Sequence, residues 1–278
     1  MRVAVIGHVE WIEFARVERL PAAGEIVHAG DAWEEPGGGG GVAAVQLARL
    51  AGSCLFLTAL GSDELGRRAK RALEELGVRV EAAWRPVPQR RAFVHVDGDG
   101  ERTITVIGDR LGPNGRDPLP WSELAECDGV YFTAGDAEAL WAARAASIVV
   151  ASVRAKATLA EAGVQLDVLV SSSTDEGERY SDGEIEPPPL LVARTAGSAG
   201  GSLDAADGVT TRWEAAPLPG RLVDTYGAGD SFSAGLTFAL AEGRPPSEAV
   251  AFGARCGAVC ATGRGPYEAR LESATEGE

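Results

Sequence analysis

The sequence is poor in the side chains that build metal sites, disulfides and histidine-based catalytic sites. Four cysteines and three histidines occur in 278 residues. The cysteines lie in apolar, alanine-rich segments, and the histidines are far apart along the chain. Cys256 and Cys260 are spaced to share a helix face, but no second pair lies nearby to complete a zinc site. We therefore expect buried, reduced thiols and no metal or histidine-based centre.

Long apolar runs and an excess of positive charge are also absent. No run approaches the roughly 20 apolar residues that a membrane span needs. The formal net charge of −15 argues against a nucleic acid or an anionic membrane as partner, because phosphates are bound by clustered Lys and Arg. A local positive site for an anionic substrate is not excluded. The start, MRVAVIGHVEW, predicts a buried strand rather than a signal peptide, which favours a cytoplasmic location.

The chain alternates strand-like and helix-like segments. RVAVIG and CLFLTALG predict strands, whereas 42–52 and 63–78 carry the apolar spacing of helices. Four more short apolar strands follow: GVYFTAG, ASIVVAS, LDVLVSS and PLLVARTAG. Two helices at 227–242 and 246–262 end the pattern. This order predicts a parallel sheet covered by helices on both faces.

Two hairpins interrupt the alternation. AFVHVDGDGERTITVI (92–107) has two alternating runs around DGDGE, which predicts a β-hairpin that stands off the main sheet. GEIVHAGDAWEE (24–35) has similar strand character and is expected to pair with it. SLDAADGVTTRWEAAP predicts a second hairpin, and 176–189 a surface loop or short helix. A further strand is expected to end at Val223.

The most informative segment is LVDTYGAGDSFSAGLTFAL, at 222–240. Gly227, Ala228 and Gly229 are expected in the first turn of a helix, where free backbone N–H groups and the helix dipole favour an anionic oxygen. Asp230 follows at once. A carboxylate beside a phosphate site is unfavourable unless it takes a proton from a nucleophile, so Asp230 is a candidate general base for phosphoryl transfer to a hydroxyl. The alternative is a helix start with small residues for packing.

Three other segments combine glycine with the start of a helix or a turn. GGGGGVAAVQLARLAG (37–52) fits a small polar ligand approaching the backbone closely, or else a flexible linker. TAGSAGG (195–201) is a glycine-rich turn after a strand, of the kind that meets nucleotide phosphates. GSDELG (61–66) is at least a capped helix start.

In order and spacing, these four segments resemble the ribokinase-type (PfkB) carbohydrate kinase family, over essentially the whole chain. The resemblance implies an α/β fold, a ribokinase-like αβα sandwich with a mostly parallel central sheet and a small β-lid. Residues 1–278 would form one domain, with lid strands within 10–35 and 92–107. It also implies ATP- and Mg²⁺-dependent phosphorylation of a hydroxyl of a small sugar, polyol or nucleoside.

The resemblance assigns roles to individual residues. Asp230 would be the base, and the backbone of 227–229 would be the anion hole. Asp224 matches a position that helps bind a monovalent cation, such as K⁺, in some members. The residues implied on the nucleotide side are Thr195, Gly197, Gly200 and Arg264.

The sequence departs from the family pattern at the metal and acceptor positions. SSTD (172–175) stands in place of the N-x-x-E motif that organises Mg²⁺, and it leaves Asp175 as the metal candidate. Near the usual sugar-binding Asp stands Ile12, with Glu10 and Glu13 as the nearest acids. Val42 replaces an Asn, and Gly39 replaces a frequent Lys. The candidate acceptor contacts are therefore Glu10, Ile12, Gly38, Gly39, Val42 and Asp230, with polar groups lost at several of them.

These departures leave two alternatives open. The chain could be a non-catalytic nucleotide- or metabolite-binding protein on a kinase fold. It could instead phosphorylate a non-sugar alcohol in an apolar pocket lined by Val42, Ile12 and Trp11. Arg102 and Arg110 are candidates to reach an acidic acceptor, or else solvated surface residues. The expected partner is a small-molecule alcohol, and the exposed lid edge is compatible with a homodimer.

Overall fold

The computed structural model describes residues 1–272, and within them the chain forms six α-helices and thirteen β-strands. The helices are Gly38–Ala51 (α1), Glu64–Glu75 (α2), Ala137–Ala143 (α3), Lys156–Ala162 (α4), Ala228–Ala241 (α5) and Pro246–Cys260 (α6). The strands are Val3–Ile6 (β1), Glu10–Arg16 (β2), Asp31–Gly37 (β3), Cys54–Gly61 (β4), Val78–Arg85 (β5), Arg91–Val96 (β6), Arg102–Ile107 (β7), Gly129–Phe132 (β8), Ile148–Ser152 (β9), Val168–Ser172 (β10), Leu191–Thr195 (β11), Gly201–Ala205 (β12) and Thr210–Trp213 (β13). None of these helices has the length and apolar character of a membrane span.

Nine of the strands form one large sheet, in the order β13-β12-β11-β10-β9-β8-β1-β4-β5. The seven strands from β11 to β5 in this order pair parallel, and β12 and β13 extend the sheet as an antiparallel hairpin. The mostly parallel sheet expected from the sequence is confirmed. In such a sheet the strands end at a shared edge, which is where α/β proteins place their ligand sites.

Helices cover both faces of the large sheet, because successive residues of its strands point to opposite sides. Val3 and Val5 of β1 lie in one core with apolar side chains of α1, α2, α5 and α6. Ala4 and Ile6 lie in the other core, with α3 and α4. The result is the three-layer αβα arrangement that the alternation of strands and helices predicts.

A second, smaller sheet has the strand order β3-β2-β6-β7. Residues 92–107 form the expected hairpin, in which β6 and β7 pair antiparallel. The expectation for 24–35 is wrong in two respects. Residues 24–30 are not strand, and β3 pairs with β2 rather than with the hairpin. The reason is that β2, which falls within the 10–35 range expected to hold lid strands, lies between them and offers a hydrogen-bonding edge to each side.

The small sheet is hydrogen-bonded to the segment that precedes α5. Arg16 of β2 donates to the carbonyl of Val223 at 3.3 Å. Arg102 of β7 donates to the hydroxyl of Thr225 at 3.0 Å and to its carbonyl at 3.1 Å. The N–H of Thr225 in turn donates to the carbonyl of Gly100, at the tip of the hairpin, at 3.2 Å. The small sheet therefore rests on 222–226 and not only on its own core.

Two other assignments made from the sequence are corrected by the structure. Val223 does not end a strand, because its N–H donates to the carbonyl of Ala261, just after α6, at 2.9 Å instead of joining a sheet. Residues 78–85 form β5, although Val78 was expected at the end of the helix 63–78 and no strand was expected over 79–85. Its pattern is irregular because it is the edge strand, with Arg79 and Trp84 exposed.

Helices α5 and α6 pack at a distance that only glycine allows. A side chain at Gly235 would lie 2.5 Å from the Sγ of Cys256. A Cβ at Gly253 would lie 2.7 Å from the carbonyl oxygen of Phe232, which is backbone and cannot rotate away. This close packing of α5 and α6 fixes where the first turn of α5 lies.

The four cysteines are free and buried, as expected.

We expect Gly253→Ala to lower the free energy of unfolding. Overpacking of this kind costs about 1–3 kcal/mol, which exceeds the roughly 1 kcal/mol that Ala gains over Gly inside a helix. Urea unfolding followed by circular dichroism measures the change. Gly30→Ala is the control, because a Cβ there meets nothing within 4 Å. A Gly253→Ala protein as stable as the wild type would contradict the packing described here.

Candidate active site

The first turn of α5 presents backbone N–H groups to an open space. Gly227 precedes the helix with φ of 81°, a left-handed conformation that favours glycine. The first helical bond runs from the N–H of Ser231 to the carbonyl of Gly227, at 2.9 Å. The N–H groups of Gly229 and Asp230 precede it and have no partner within the helix. A Cβ at Gly229 would meet nothing within 4 Å, so an anionic oxygen could approach here.

Ala228, the middle residue of the predicted anion hole, is already engaged. Its N–H donates to the carbonyl of Thr225 at 3.3 Å, a long and weak hydrogen bond. The free donors of this turn are therefore the N–H groups of Gly229 and Asp230, which follow Ala228. We call this turn, residues 227–230, the α5 cradle.

The glycine-rich start of α1 meets the α5 cradle at Asp230. A Cβ at Gly39 would lie 2.9 Å from Oδ1 of Asp230 and 3.1 Å from Oγ1 of Thr133. Gly38 has φ of 80°, and a Cβ there would lie 3.1 Å from the backbone nitrogen of Glu10. Gly38, Gly39, Glu10 and Asp230 thus converge on one place. The hydroxyl of Thr133 is buried beside them without a hydrogen-bond partner among residues 1–272.

The electrostatics of Asp230 suit a proton acceptor. Burial raises the pKa of Asp230 to about 6, while the positive charge of Arg154 opposes the rise. Glu178 raises it further, and Arg102 and Arg270 lower it. A carboxylate with this pKa is ionised at neutral pH and more basic than an ordinary aspartate, as general-base catalysis favours.

A buried ionic group stands next to the glycine start of α1. Glu10 accepts a hydrogen bond from Nε of Arg90 at 2.7 Å, and Nε2 of His8 lies 3.7 Å from its carboxylate. Burial disfavours the ionised form of Glu10, but His8 and Arg90 outweigh it and lower the pKa of Glu10. Burial lowers the pKa of His8, which is therefore neutral near pH 7. Glu10 is held as a carboxylate in the wall of the site.

Two of the candidate acceptor contacts lie inside an apolar cluster. Ile12 and Val42 are both 0 % exposed and pack with Phe14 and Tyr226. The hydroxyl of Tyr226 accepts the N–H of Gly38 at 3.0 Å. The side chains of Ile12 and Val42 support the glycine start of α1 from behind, and direct contact with an acceptor stays a prediction for them.

Asp224 ties the segment before α5 to the loop after α6. It is fully buried, and its two oxygens accept the N–H of Tyr226 at 2.8 Å and that of Gly265 at 3.0 Å. Burial raises the pKa of Asp224, and these two donors oppose the rise. Next to Gly265, Arg264 pairs with Asp31 of β3 at 3.1 Å. Arg264 thus contacts the small sheet, and its role at a nucleotide stays a prediction.

The other predicted nucleotide and metal residues follow β10 and β11 at the same edge of the sheet. Thr195 ends β11 and donates to the carbonyl of Ser171 at 3.2 Å. Gly197 and Gly200 make the turn into β12 with φ of 56° and 80°. Asp175 is exposed in the loop after β10, where it accepts the N–H of Gly177 at 2.9 Å. Among residues 1–272, no hydrogen bond or ion pair joins these residues to Asp230, so we treat them as a second area of the edge.

Arg154 links the two areas. It follows β9, its guanidinium lies 3.4 Å from Asp175, and it also pairs with Glu178. Its charge acts on Asp230 as well. Arg154 and Thr133 were missed from the sequence because neither belongs to a motif. The one available signal was position, since Thr133 comes directly after β8 and Arg154 two residues after the end of β9.

Within residues 1–272, no three His, Cys, Asp or Glu side chains are close enough together to hold a metal ion. Magnesium commonly binds through one or two carboxylates and completes its shell with water and substrate phosphates. The exposed carboxylate of Asp175 fits that mode of binding, as one ligand to a metal that arrives with a phosphorylated substrate.

Comparison with known proteins identifies relatives over nearly the whole chain. The family model described as pfkB family carbohydrate kinase matches residues 1–176 and 191–273. The ATP-dependent ribose-1-phosphate kinase of Halopiger xanaduensis is 27 % identical, with 97 % of this chain and 95 % of that protein covered. The fructokinase of Salmonella typhimurium is 28 % identical, with 85 % and 90 % covered.

Solved structures show the same fold. The ribokinase of Arabidopsis thaliana, solved in complex with ribose and ATP, superposes with a TM-score of 0.74 at 22 % identity. The superposition covers 95 % of this chain and 93 % of that chain. The superposition supports the ribokinase-like fold that the sequence motifs imply.

We expect Tyr226→Phe to destabilise the glycine start of α1. The variant leaves the buried N–H of Gly38 without an acceptor, which costs about 1–3 kcal/mol. Urea unfolding measures the loss, and amide exchange at the start of α1 should become faster.

Tyr267→Phe is the matched control for this experiment. The hydroxyl of Tyr267 is buried and has no hydrogen-bond partner among residues 1–272, so removing it should leave stability unchanged or raise it slightly. Equal losses in the two variants would mean that the Tyr226 hydroxyl does not hold the α1 start.

Proposed function

Because the chain belongs to the pfkB family of carbohydrate kinases, we propose that it transfers the γ-phosphoryl group of ATP to a hydroxyl of a small sugar, polyol or nucleoside. The observation that carries the proposal is the position of Asp230. This carboxylate lies in the first turn of α5, against Gly39, with a pKa raised to about 6 by burial. A base and an anion-binding helix start are thereby combined in one turn.

In the proposed step, Asp230 takes the proton of the acceptor hydroxyl. The hydroxyl oxygen forms a bond to the γ-phosphorus, the bond from that phosphorus to the β-γ bridging oxygen breaks, and ADP leaves with the electron pair. The free N–H groups of the α5 cradle and the dipole of α5 would stabilise negative charge on the phosphoryl group in transit; within the predicted anion hole, 227–229, the N–H of Ala228 is already bonded to Thr225. Positioning and electrostatics supply most of the rate enhancement in reactions of this kind.

We assign the nucleotide to the area around the β11–β12 turn, with Thr195, Gly197 and Gly200 beside it. Mg²⁺ bound to the nucleotide would neutralise phosphate charge, and Asp175 would hold it through one carboxylate. Asp224 is the residue that the family pattern links to a monovalent cation. The hydrogen bonds that Asp224 accepts from the backbone N–H groups of Tyr226 and Gly265 support a structural role for it, and activation by K⁺ stays a prediction. The cytoplasmic location also stays a prediction.

The small sheet is proposed to act as a lid over the acceptor. Its hydrogen bonds to Val223 and Thr225 place it next to the α5 cradle, where excluding water would limit hydrolysis of ATP. Its outer strand β7 is an unpaired edge, and Ile104, Val106 and Ile107 are exposed on it. Such an edge favours pairing with a second copy of the chain.

The apolar surroundings of Ile12 and Val42 keep a second candidate function in view, the phosphorylation of a non-sugar alcohol. The loss of polar acceptor contacts at Ile12 and Val42 would also suit a protein that binds a nucleotide or metabolite without turnover. Measuring ADP release with a panel of sugars, nucleosides and other alcohols separates these possibilities, because only a kinase releases ADP in response to an acceptor. The compounds that stimulate ADP release identify the acceptor class.

We expect Asp230→Asn to abolish acceptor-dependent ADP release while nucleotide binding remains. The amide keeps the shape of the side chain but cannot accept the proton, and loss of a general base costs about 10²–10⁴-fold. ADP release is measured with Mg·ATP and a panel of sugars, nucleosides and other alcohols, and nucleotide binding by calorimetry. Full activity in this variant would rule out Asp230 as the base.

The pH dependence of kcat/KM provides an independent test. With Asp230 as base, kcat/KM should fall as the pH drops below about 6, because the raised pKa of this residue makes its carboxylate protonated there. Arg154→Met removes a positive charge that lowers this pKa and should move the midpoint to higher pH. Glu178→Gln removes a negative charge that raises it and should move the midpoint to lower pH. A midpoint that is the same in all three proteins would assign the titration to another group.

A further inference from the structure

A cavity of about 550 Å³ opens at the ends of β5, β8 and β9. Its wall includes Ala134 and Gly135, which directly follow Thr133, the residue that faces Asp230 across Gly39. It also includes Arg154, whose charge lowers the pKa of Asp230. Asp230 itself does not line the cavity, but Ala134, Gly135 and Arg154 connect it to the surroundings of the proposed base. Its size is within the roughly 300–1,000 Å³ range of small-molecule sites.

Three arginines line this cavity, and two of them have carboxylate partners. Arg85 forms a bidentate pair with Asp117, at 2.7 and 2.6 Å. Arg154 pairs with Asp175 and Glu178. The third, Arg110, forms no ion pair within residues 1–272. Its guanidinium donates only to the backbone carbonyl of Arg154, at 3.2 Å.

The acidic groups in the wall do not compensate Arg110. Asp117 is occupied by Arg85, and one oxygen of Asp136 accepts the N–H groups of Gly115 and Ala139, both at 2.9 Å. The fixed charges around Arg110 are mostly of its own sign. Burial, Arg90 and Arg154 together lower the pKa of Arg110, and Glu10 opposes them only in part.

An arginine in such surroundings is unfavourable in the free protein. The chain as a whole has a net charge of −15, yet no carboxylate among residues 1–272 pairs with Arg110. Guanidinium groups bind phosphates and carboxylates through two parallel hydrogen bonds. An anion entering the cavity would relieve the repulsion among the arginines and fill the free donors of Arg110.

We propose that the acceptor carries an anionic group, a phosphate ester or a carboxylate, which Arg110 binds in this cavity while the hydroxyl to be phosphorylated faces Asp230. The proposal rests on the proposed kinase function and deepens it by naming the acceptor class. Arg110 is a specificity-determining residue in this scheme. It contacts the anionic group and takes no part in the transfer of the proton or the phosphoryl group.

Equilibrium binding tests the site without requiring turnover. The wild type, Arg110→Met and Arg110→Lys are titrated calorimetrically with pentose and hexose monophosphates, the matching sugar acids and the parent sugars, at one fixed ionic strength because screening weakens such contacts. Arg71→Met is the control, since it removes the same charge from the exposed face of α2.

In the wild type and in Arg71→Met, at least one anionic ligand should bind more than about tenfold tighter than its parent sugar, as expected for charge-assisted hydrogen bonds to a guanidinium. Arg110→Met should lose this preference, and Arg110→Lys should keep part of it. Preference for the phosphate over the sugar acid, or the reverse, identifies the anionic group. Equal binding of sugars and their anionic forms by the wild type, or a preference that survives in Arg110→Met, would overturn the proposal.

ADP release with the same ligands keeps the two proposals separate. Turnover of neutral sugars that Arg110→Met does not impair would disprove the anionic acceptor and leave the kinase intact. Anion binding that depends on Arg110, with no ADP release from ATP in the presence of any of these ligands, would support the anion site and count against the proposed kinase function.

Discussion

The convergence of two helix starts on one carboxylate is the constraint on which the rest of the molecule depends. Asp230 is in the first turn of α5, and Gly39 of α1 lies so close that a Cβ there would touch its carboxylate. The α5–α6 glycines set the position of one helix, and the bond between Tyr226 and Gly38 sets the other. Both large-scale features, the parallel sheet and its helix layers, serve to bring these two turns to the same edge.

Charge is distributed unevenly around that edge. The chain is acidic as a whole, yet the charges that lower the pKa of Asp230 are those of Arg154, Arg102 and Arg270. Burial raises this pKa, and the three arginine charges oppose the rise. The arginines limit the rise, so that the carboxylate remains ionised and still has appreciable affinity for a proton.

Much of the fold and the centre of the site could be predicted from the sequence, because glycine and aspartate in fixed spacing have local physical meaning. DTYGAGD predicted a helix start with Asp230 in its first turn, and the glycine run predicted a close approach. What the sequence could not supply depends on tertiary contacts. The charge of Arg154 acts on Asp230, and Thr133 lies beside Gly39 and Asp230, so the importance of both depends on residues distant in the sequence. Val223 has strand-like character, but its N–H donates to the carbonyl of Ala261 instead of joining a sheet.

The contact of the small sheet with residues 223–225 has a consequence for the order of events. Arg16, Arg102 and Gly100 all bond to the backbone or side chain of the segment that leads into the α5 cradle. If the small sheet is the proposed lid, opening it would break these bonds, while those from Val223 to Ala261 and from Gly265 to Asp224 would remain. Access to the proposed acceptor site and the conformation of residues 223–225 would then be coupled.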